Sequence, residues 1–262
     1  MSAIGQFADR YAVIPDLRGP RIRFGVLWGL VLGVAVVLGG WALAVFLAAN
    51  AGVAGLQVTG RWHEVGQPAN QPLAAAGAVV VVVAAAVNNT VLGIALLAFV
   101  AAALVFPVSF REAPMTDPRT SATYAWGTLA ASLFPALAGA AAVQVGRVDA
   151  MALAFLVGAV CTYDAGNFLC HGGPRQRLVG PVAGMLGVLV VTAAMYFAKP
   201  PPFDGTEAIL VGLLLTVLCP AGQLLGSWLL PRARTPAPAL RRLDSWLLSA
   251  PAMLVAAWIA QR

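Results

Sequence analysis

Residues Phe24–Ala49 read FGVLWGLVLGVAVVLGGWALAVFLAA, without one charged side chain. A helix over that stretch is about 39 Å long, enough to cross a hydrocarbon core of about 30 Å with some tilt. Inside lipid every backbone N–H and C=O must be paired within the protein, which leaves helices or closed barrels. Runs this long and unbroken predict helices. Further apolar runs follow at Leu73–Val108, Tyr124–Val143, Val148–Tyr163, Leu178–Ala198, Ala208–Leu230 and Ser245–Ala260. The expected fold is therefore all-α, a polytopic integral membrane helical bundle of about seven to eight transmembrane helices. Composition agrees: 60% of the 262 residues are hydrophobic and 10% charged, against about 25% charged in a soluble domain.

Three regions are expected. Residues 1–23 form a basic segment with Asp9, Arg10, Asp16 and Arg18, unlike a cleaved signal peptide. Residues 24–147 and 148–262 hold the N-terminal and C-terminal helices. The net charge is +6, from fifteen Arg and one Lys. These lie in short gaps between apolar runs, so they read as orientation signals and headgroup contacts and not as a nucleic-acid surface. If Leu73–Val108 makes an odd number of net crossings, twelve basic residues fall on one side and four, Arg61 among them, on the other. The richer side, with the N-terminus, is then cytosolic, as in a bacterial plasma membrane. Asn88-Asn89-Thr90 is read as a kink or re-entrant point in that block, and Asn50–Pro72 as a polar gap carrying His63 on the poorer side.

The three Cys (Cys161, Cys170, Cys219) form no C-x-x-C, so neither a disulfide framework nor a zinc site is expected. P-loop, G-x-G-x-x-G and H-E-x-x-H motifs are absent. The His171-Gly172-Gly173 stretch reads as a loop, and Asp204 and Glu207 as solvated loop residues. The alternation of sides gathers Asp164, Gln223, Ser227 and Asp244 at one boundary of the membrane, beside Arg232, Arg234, Arg241 and Arg242. Carboxylates at membrane depth are costly and tend to be functional; capping or ion pairing is the plainer reading, and Asp244 before Ser245-Trp246 suits an N-cap. The arginines suit either a lipid or nucleotide phosphate or simple anchoring.

The C-terminal hundred residues resemble the phosphatidate cytidylyltransferase (CDP-diacylglycerol synthase) family. Tyr163-Asp164-Ala165-Gly166-Asn167-Phe168 resembles its D-x-G-A-Y segment, and Ala221-Gly222-Gln223-Leu224-Leu225-Gly226-Ser227 its G-D-L-x-E-S. Gly180-Pro181-Val182-Ala183-Gly184-Met185-Leu186-Gly187 stands where the family has S-P-x-K-T-x-E-G. Arg241-Arg242-Leu243-Asp244-Ser245 is similar to D-R-x-D-S. The order agrees over roughly residues 148–258, with a shortened last gap.

The resemblance implies cytidylyl transfer from CTP to phosphatidate or a related lipid phosphate, giving CDP-diacylglycerol. Asp164 and Asp244 would be the catalytic and metal-binding carboxylates, holding Mg²⁺. Ser227, Arg232, Arg234, Arg241 and Arg242 would bind substrate phosphate. The departures bear on the chemistry. Gln223 and Arg241 stand where the family has Asp, Gly226 where it has Glu, and Ala183 where it has Lys. Losing one such charged stabiliser typically costs a hundredfold or more. A second expectation is thus a catalytically silent paralogue that binds lipid headgroups or a membrane partner, either another protein or a second copy of itself. A small transporter is a third. It would show ionisable residues mid-span and mirrored halves, and the sequence shows neither.

Overall fold

The structure, a computed structural model, describes residues 21–106, 118–170, 178–232 and 235–262. Through them run the helices α1 (Arg21–Leu38), α2 (Gly40–His63), α3 (Gln71–Val87), α4 (Asn89–Val105) and α5 (Pro118–Val148), then α6 (Ala150–Leu169), α7 (Val179–Ala198), α8 (Gly205–Trp228), α9 (Pro238–Leu243) and α10 (Trp246–Ala260). There is no strand among the described residues. Six stretches are long and apolar enough to cross a membrane: Gly40–His63, Ala122–Val148, Ala150–Leu169, Val179–Ala198, Gly205–Trp228 and Pro238–Ala260. Three shorter apolar helices run beside them, Gly25–Leu38, Gln71–Val87 and Asn89–Val105. The chain is thus a helical membrane bundle, with six spans of full length among the described residues where seven to eight were expected.

Its surface is apolar: Leu30, Val37, Leu97, Val190, Leu210 and Ile259 are all exposed. Its interior is built mainly from small side chains, such as Ala44, Ala51, Ala54, Ala74, Ala78 and Ala85. Small residues let membrane helices approach closely where hydrophobic burial supplies little drive.

Two expectations are corrected. Phe24–Ala49 is not one crossing. Gly39 (φ 62°) and Gly40 (φ 43°) take positive φ, a conformation cheap only for glycine, and the chain reverses there. Trp28 then meets Phe46 with ring centroids 5.4 Å apart and donates from Nε1 to Asn50 Oδ1 at 2.8 Å. The expected gap at Asn50–Pro72 is helical as far as His63. Its polar groups are satisfied internally: Asn50 Nδ2 donates to the Phe46 carbonyl (2.8 Å) and Thr59 Oγ1 to the Gly55 carbonyl (2.7 Å).

The expected crossing at Leu73–Val108 is, over its described residues 73–106, likewise a hairpin that makes no net crossing. Asn88 is extended (φ −169°, ψ 172°) and its Oδ1 accepts from Val91 N at 2.8 Å, capping α4. The Phe99 ring lies against Gly77, where an added Cβ would come within 2.1 Å of it. Asn70, at the start of α3, donates from Nδ2 to the carbonyl of Phe106, just past α4 (2.9 Å). At the other end Gln144 Nε2 and Arg147 Nη1 both donate to the Ala85 carbonyl (3.2 and 3.0 Å). A continuous helix would have needed these carbonyls for itself.

The two corrections offset each other, because each hairpin returns the chain to its starting end. Arg61 and His63 move from the basic-poor end to the basic-rich one. Among the described residues Arg21, Arg23, Arg61, Arg119, Arg232, Arg241 and Arg242 lie at one end, and Arg147, Lys199 and Arg262 at the other. At the second end the links are tight: Gly39–Gly40, Asn88, Asp149 (which caps α6 through Met151 N, 2.6 Å) and 199–204. Asp204 and Glu207, expected as loop residues, form a capping box for α8. Exposed Trp126 and Trp228 mark the arginine-rich end, and exposed Trp41, Phe197 and Trp258 the opposite one; aromatic side chains favour the two faces of a bilayer.

Candidate functional site

The site is built at the arginine-rich end, where α6 finishes, α7 starts, and the α8–α9–α10 corner turns. Asp164 sits five residues before the end of α6, about 7.5 Å along its axis. Asp244 sits in the corner between α9 and α10 and is 4% exposed. Glycines on α8 make room for this corner. A Cβ on Gly222 would lie 2.3 Å from the Asp244 carbonyl oxygen, and one on Gly226 2.6 Å from Asp244 Cβ.

Ser245 joins the two carboxylates. Its Oγ donates to Asp164 Oδ2 (3.1 Å) and its backbone N to Asp244 Oδ1 (2.8 Å). Its carbonyl accepts from Ser249 Oγ, one turn on. Asp244 is not the expected N-cap: its neighbour Ser245 occupies that place, with helical backbone angles and no side-chain bond to the N-terminal amides of α10. Asp244 Oδ2 instead faces Arg241 Nη1 at 3.5 Å. The same Nη1 donates to Ser227 Oγ at 2.8 Å.

Next to this lies a neutral lock. Gln223 Oε1 accepts from Tyr163 Oη and from Asn167 Nδ2, both at 3.0 Å. Tyr163 is fully buried, and α7 closes over it: a Cβ on Gly184 would lie 2.6 Å from the Tyr163 carbonyl oxygen. Two polar atoms in the region are buried without a hydrogen-bond partner, Asp164 Oδ1 and Trp246 Nε1.

Of the sequence candidates, the structure therefore brings together Asp164, Ser227, Arg241 and Asp244, with Gln223. Arg242 stands at the edge of this group, its charge in range of both carboxylates. Its guanidinium lies over α1, where a Cβ on Gly25 would come within 2.7 Å of Nη2. Arg232 is at the same end, exposed, in the segment after α8. Arg234 and the His171 loop lie outside the described residues. Sequence reading missed the supports. Trp62 Nε1 donates to the Leu229 carbonyl (2.8 Å), Arg61 Nε to the Pro236 carbonyl (3.1 Å), and Ala239 N to Gln57 Oε1 (2.9 Å). These residues fall in the stretch expected to face the other side, so only the Gly39-Gly40 pair could have signalled their role.

The donor set does not fit Mg²⁺. That ion demands near-octahedral oxygen coordination. Both Asp244 oxygens and Asp164 Oδ2 are already engaged, and no group of three His, Cys, Asp or Glu suited to a metal occurs among the described residues. The cysteines are free, Cys161 and Cys170 exposed and Cys219 buried. No protein-family model matches the chain, and no curated protein and no solved structure matches it either.

Proposed function

We propose that this protein recognises the phosphate of anionic phospholipids at its arginine-rich end, taken as cytosolic, on a scaffold similar to the phosphatidate cytidylyltransferases but without their turnover. One observation carries the reading. Positions where that family places charged or metal-binding side chains are here packed shut or paired off. Gly226 abuts Asp244, Gln223 is held by two neutral donors, and Arg241 is spent on Asp244 and Ser227. Transfer between phosphates needs charge stabilisation aimed at the reacting group, and these groups stabilise one another. Arg232 and Arg242 remain, and neither forms an ion pair with a described residue. Guanidinium groups match phosphate oxygens bidentately.

The test uses the full chain in nanodiscs holding phosphatidylcholine with phosphatidate. Retention of phosphatidate over phosphatidylcholine, read by native mass spectrometry, should fall severalfold in Arg242→Gln and Arg232→Gln. Incubation with labelled CTP, phosphatidate and Mg²⁺ should give no CDP-lipid. A labelled CDP-lipid that disappears in Asp244→Ala would overturn the silent reading in favour of cytidylyl transfer, for which the convergence of Asp164 and Asp244 on Ser245 is the supporting observation.

A further inference from the structure

We infer that the flank built from α1, α2, α3 and α4 thins the bilayer beside it and so favours phospholipids with short acyl chains. The inference is independent of the headgroup reading, since it rests on length and not on charge. At about 1.5 Å per residue, the apolar helix Gly25–Leu38 reaches about 21 Å, and Gln71–Val87 and Asn89–Val105 about 26 Å each. Helix α2 is longer, but its last large exposed apolar side chain is Leu56, about 26 Å from Gly40. Gln57 follows, its Oε1 accepting from Ala239 N at 2.9 Å, and then come Arg61 and His63. The four helices form one row, α2 packing on α1 and α3, and α3 on α4. A hydrocarbon core is about 30 Å thick, and tilt only shortens what a helix reaches across it. On the other flank α7 and α8 pack on each other. They reach about 30 and 36 Å and match that thickness unaided.

The ends of the short row are polar and fixed. At the far end Asn88, Asn89 and Thr90 are all exposed. Their side chains are too short to reach a more distant surface in the way that long Lys and Arg side chains do. Arg147, nearby on α5, does not reach outward either, because its Nη1 is held on the Ala85 carbonyl (3.0 Å). At the arginine-rich end Gln71, which opens α3, donates from Nε2 to the Leu56 carbonyl at 2.9 Å. That is level with the end of the apolar face of α2. Polar groups this close together stay wet when the bilayer between them is compressed. A second copy laid against the row would cover its apolar face and leave the same polar tips at the same depth.

The experiment uses the full-length protein in nanodiscs of zwitterionic phosphatidylcholine, which keeps headgroup charge out of the result. A nitroxide is attached at Asn89→Cys in a chain whose three native cysteines are replaced by alanine. Its accessibility to a water-soluble nickel chelate should be as high in dioleoyl bilayers as in thinner dimyristoleoyl ones. In an equimolar mixture of the two lipids, native mass spectrometry should show the dimyristoleoyl lipid retained severalfold over the dioleoyl. That ratio should fall towards one in Asn89→Leu/Thr90→Leu. The exposed new side chains lengthen the apolar face, leave the Asn88 cap on Val91 N in place and leave thermal unfolding unchanged. A nitroxide at Asn89→Cys that loses access to the chelate in dioleoyl bilayers would overturn the thinning, because the tip then sinks below the surface. Equal retention of the two lipids would overturn it as well. Neither result touches phosphatidate preference at Arg242, so the headgroup reading stands or falls separately.

Discussion

Asp244 is fixed by charge, by a backbone donor and by shape, and the three respond differently to substitution. Asp244→Asn keeps an acceptor for Ser245 N but removes the carboxylate charge that faces the part-buried Arg241. Hydrogen bonds to charged groups contribute roughly 1.5–3 kcal/mol, so a loss of about 1–3 kcal/mol is expected in denaturant unfolding in detergent. Gly226→Ala should cost a similar amount, about 1–3 kcal/mol, by overpacking, because its Cβ would lie 2.6 Å from Asp244 Cβ. Gly29→Ala is the matched control: its Cβ enters open space, and the helix gains up to about 1 kcal/mol from propensity alone. Equal effects at Gly226 and Gly29 would refute the packing argument. Asp164→Asn separates structure from binding. Its Oδ2 partner is neutral Ser245 and its Oδ1 has no partner, so an amide in its place should leave stability equal or higher. A large loss on Asp164→Asn would mean that the carboxylate has a structural counter-ion.

The two sharp reversals, at Gly39–Gly40 and at Asn88, set how the elements are joined. The apolar runs themselves were legible, since lipid tolerates only long apolar helices, and the order of α5 to α10 follows the sequence closely. The reversals were not, because each occupies one or two residues inside an uncharged stretch, where hydropathy is blind. What fixes them is distant: Trp28 reaching Asn50, and Arg147 and Gln144 reaching Ala85. The gathering of Asp164, Gln223, Ser227 and Asp244 was legible from the alternation of ends. The tying of Gln223 to Tyr163 and Asn167 was not, since it depends on the approach of α6 to α7 through Gly184. Two measurements follow at this scale. Asn88→Ala removes the cap on Val91 N and should cost about 1 kcal/mol. Arg147→Ala leaves the Ala85 carbonyl with Gln144 alone, and hydrogen exchange should rise at residues 85–91 while residues 70–74 stay protected. Uniform exchange along both helices after Arg147→Ala would show that this residue does not hold the hairpin.

The whole molecule is polarised. One end has short links and three described basic residues; the other has long links, the carboxylates, and seven described arginines. The observed hairpins sharpen this asymmetry, because Arg61 joins the richer end instead of opposing it. Retention of basic segments on the cytosolic side then predicts one orientation for the whole bundle. Anionic lipid on that leaflet adds about 1 kcal/mol of attraction per basic residue near the surface, so the charges that orient the chain are the ones on which the proposed headgroup capture would draw. Val65 is the discriminating position. It follows α2, lies in a stretch that hydropathy assigns to the far side, and is exposed. In a chain whose three native cysteines are replaced by alanine, single cysteines are introduced as Val65→Cys, Arg232→Cys and Lys199→Cys. A membrane-impermeant maleimide added to intact cells should label Lys199→Cys alone. In inverted vesicles it should label Val65→Cys and Arg232→Cys. Labelling of Val65→Cys together with Lys199→Cys would restore a single first crossing through Phe24–Ala49. It would also carry Trp62 and Arg61 away from the Leu229–Pro236 segment that they support here.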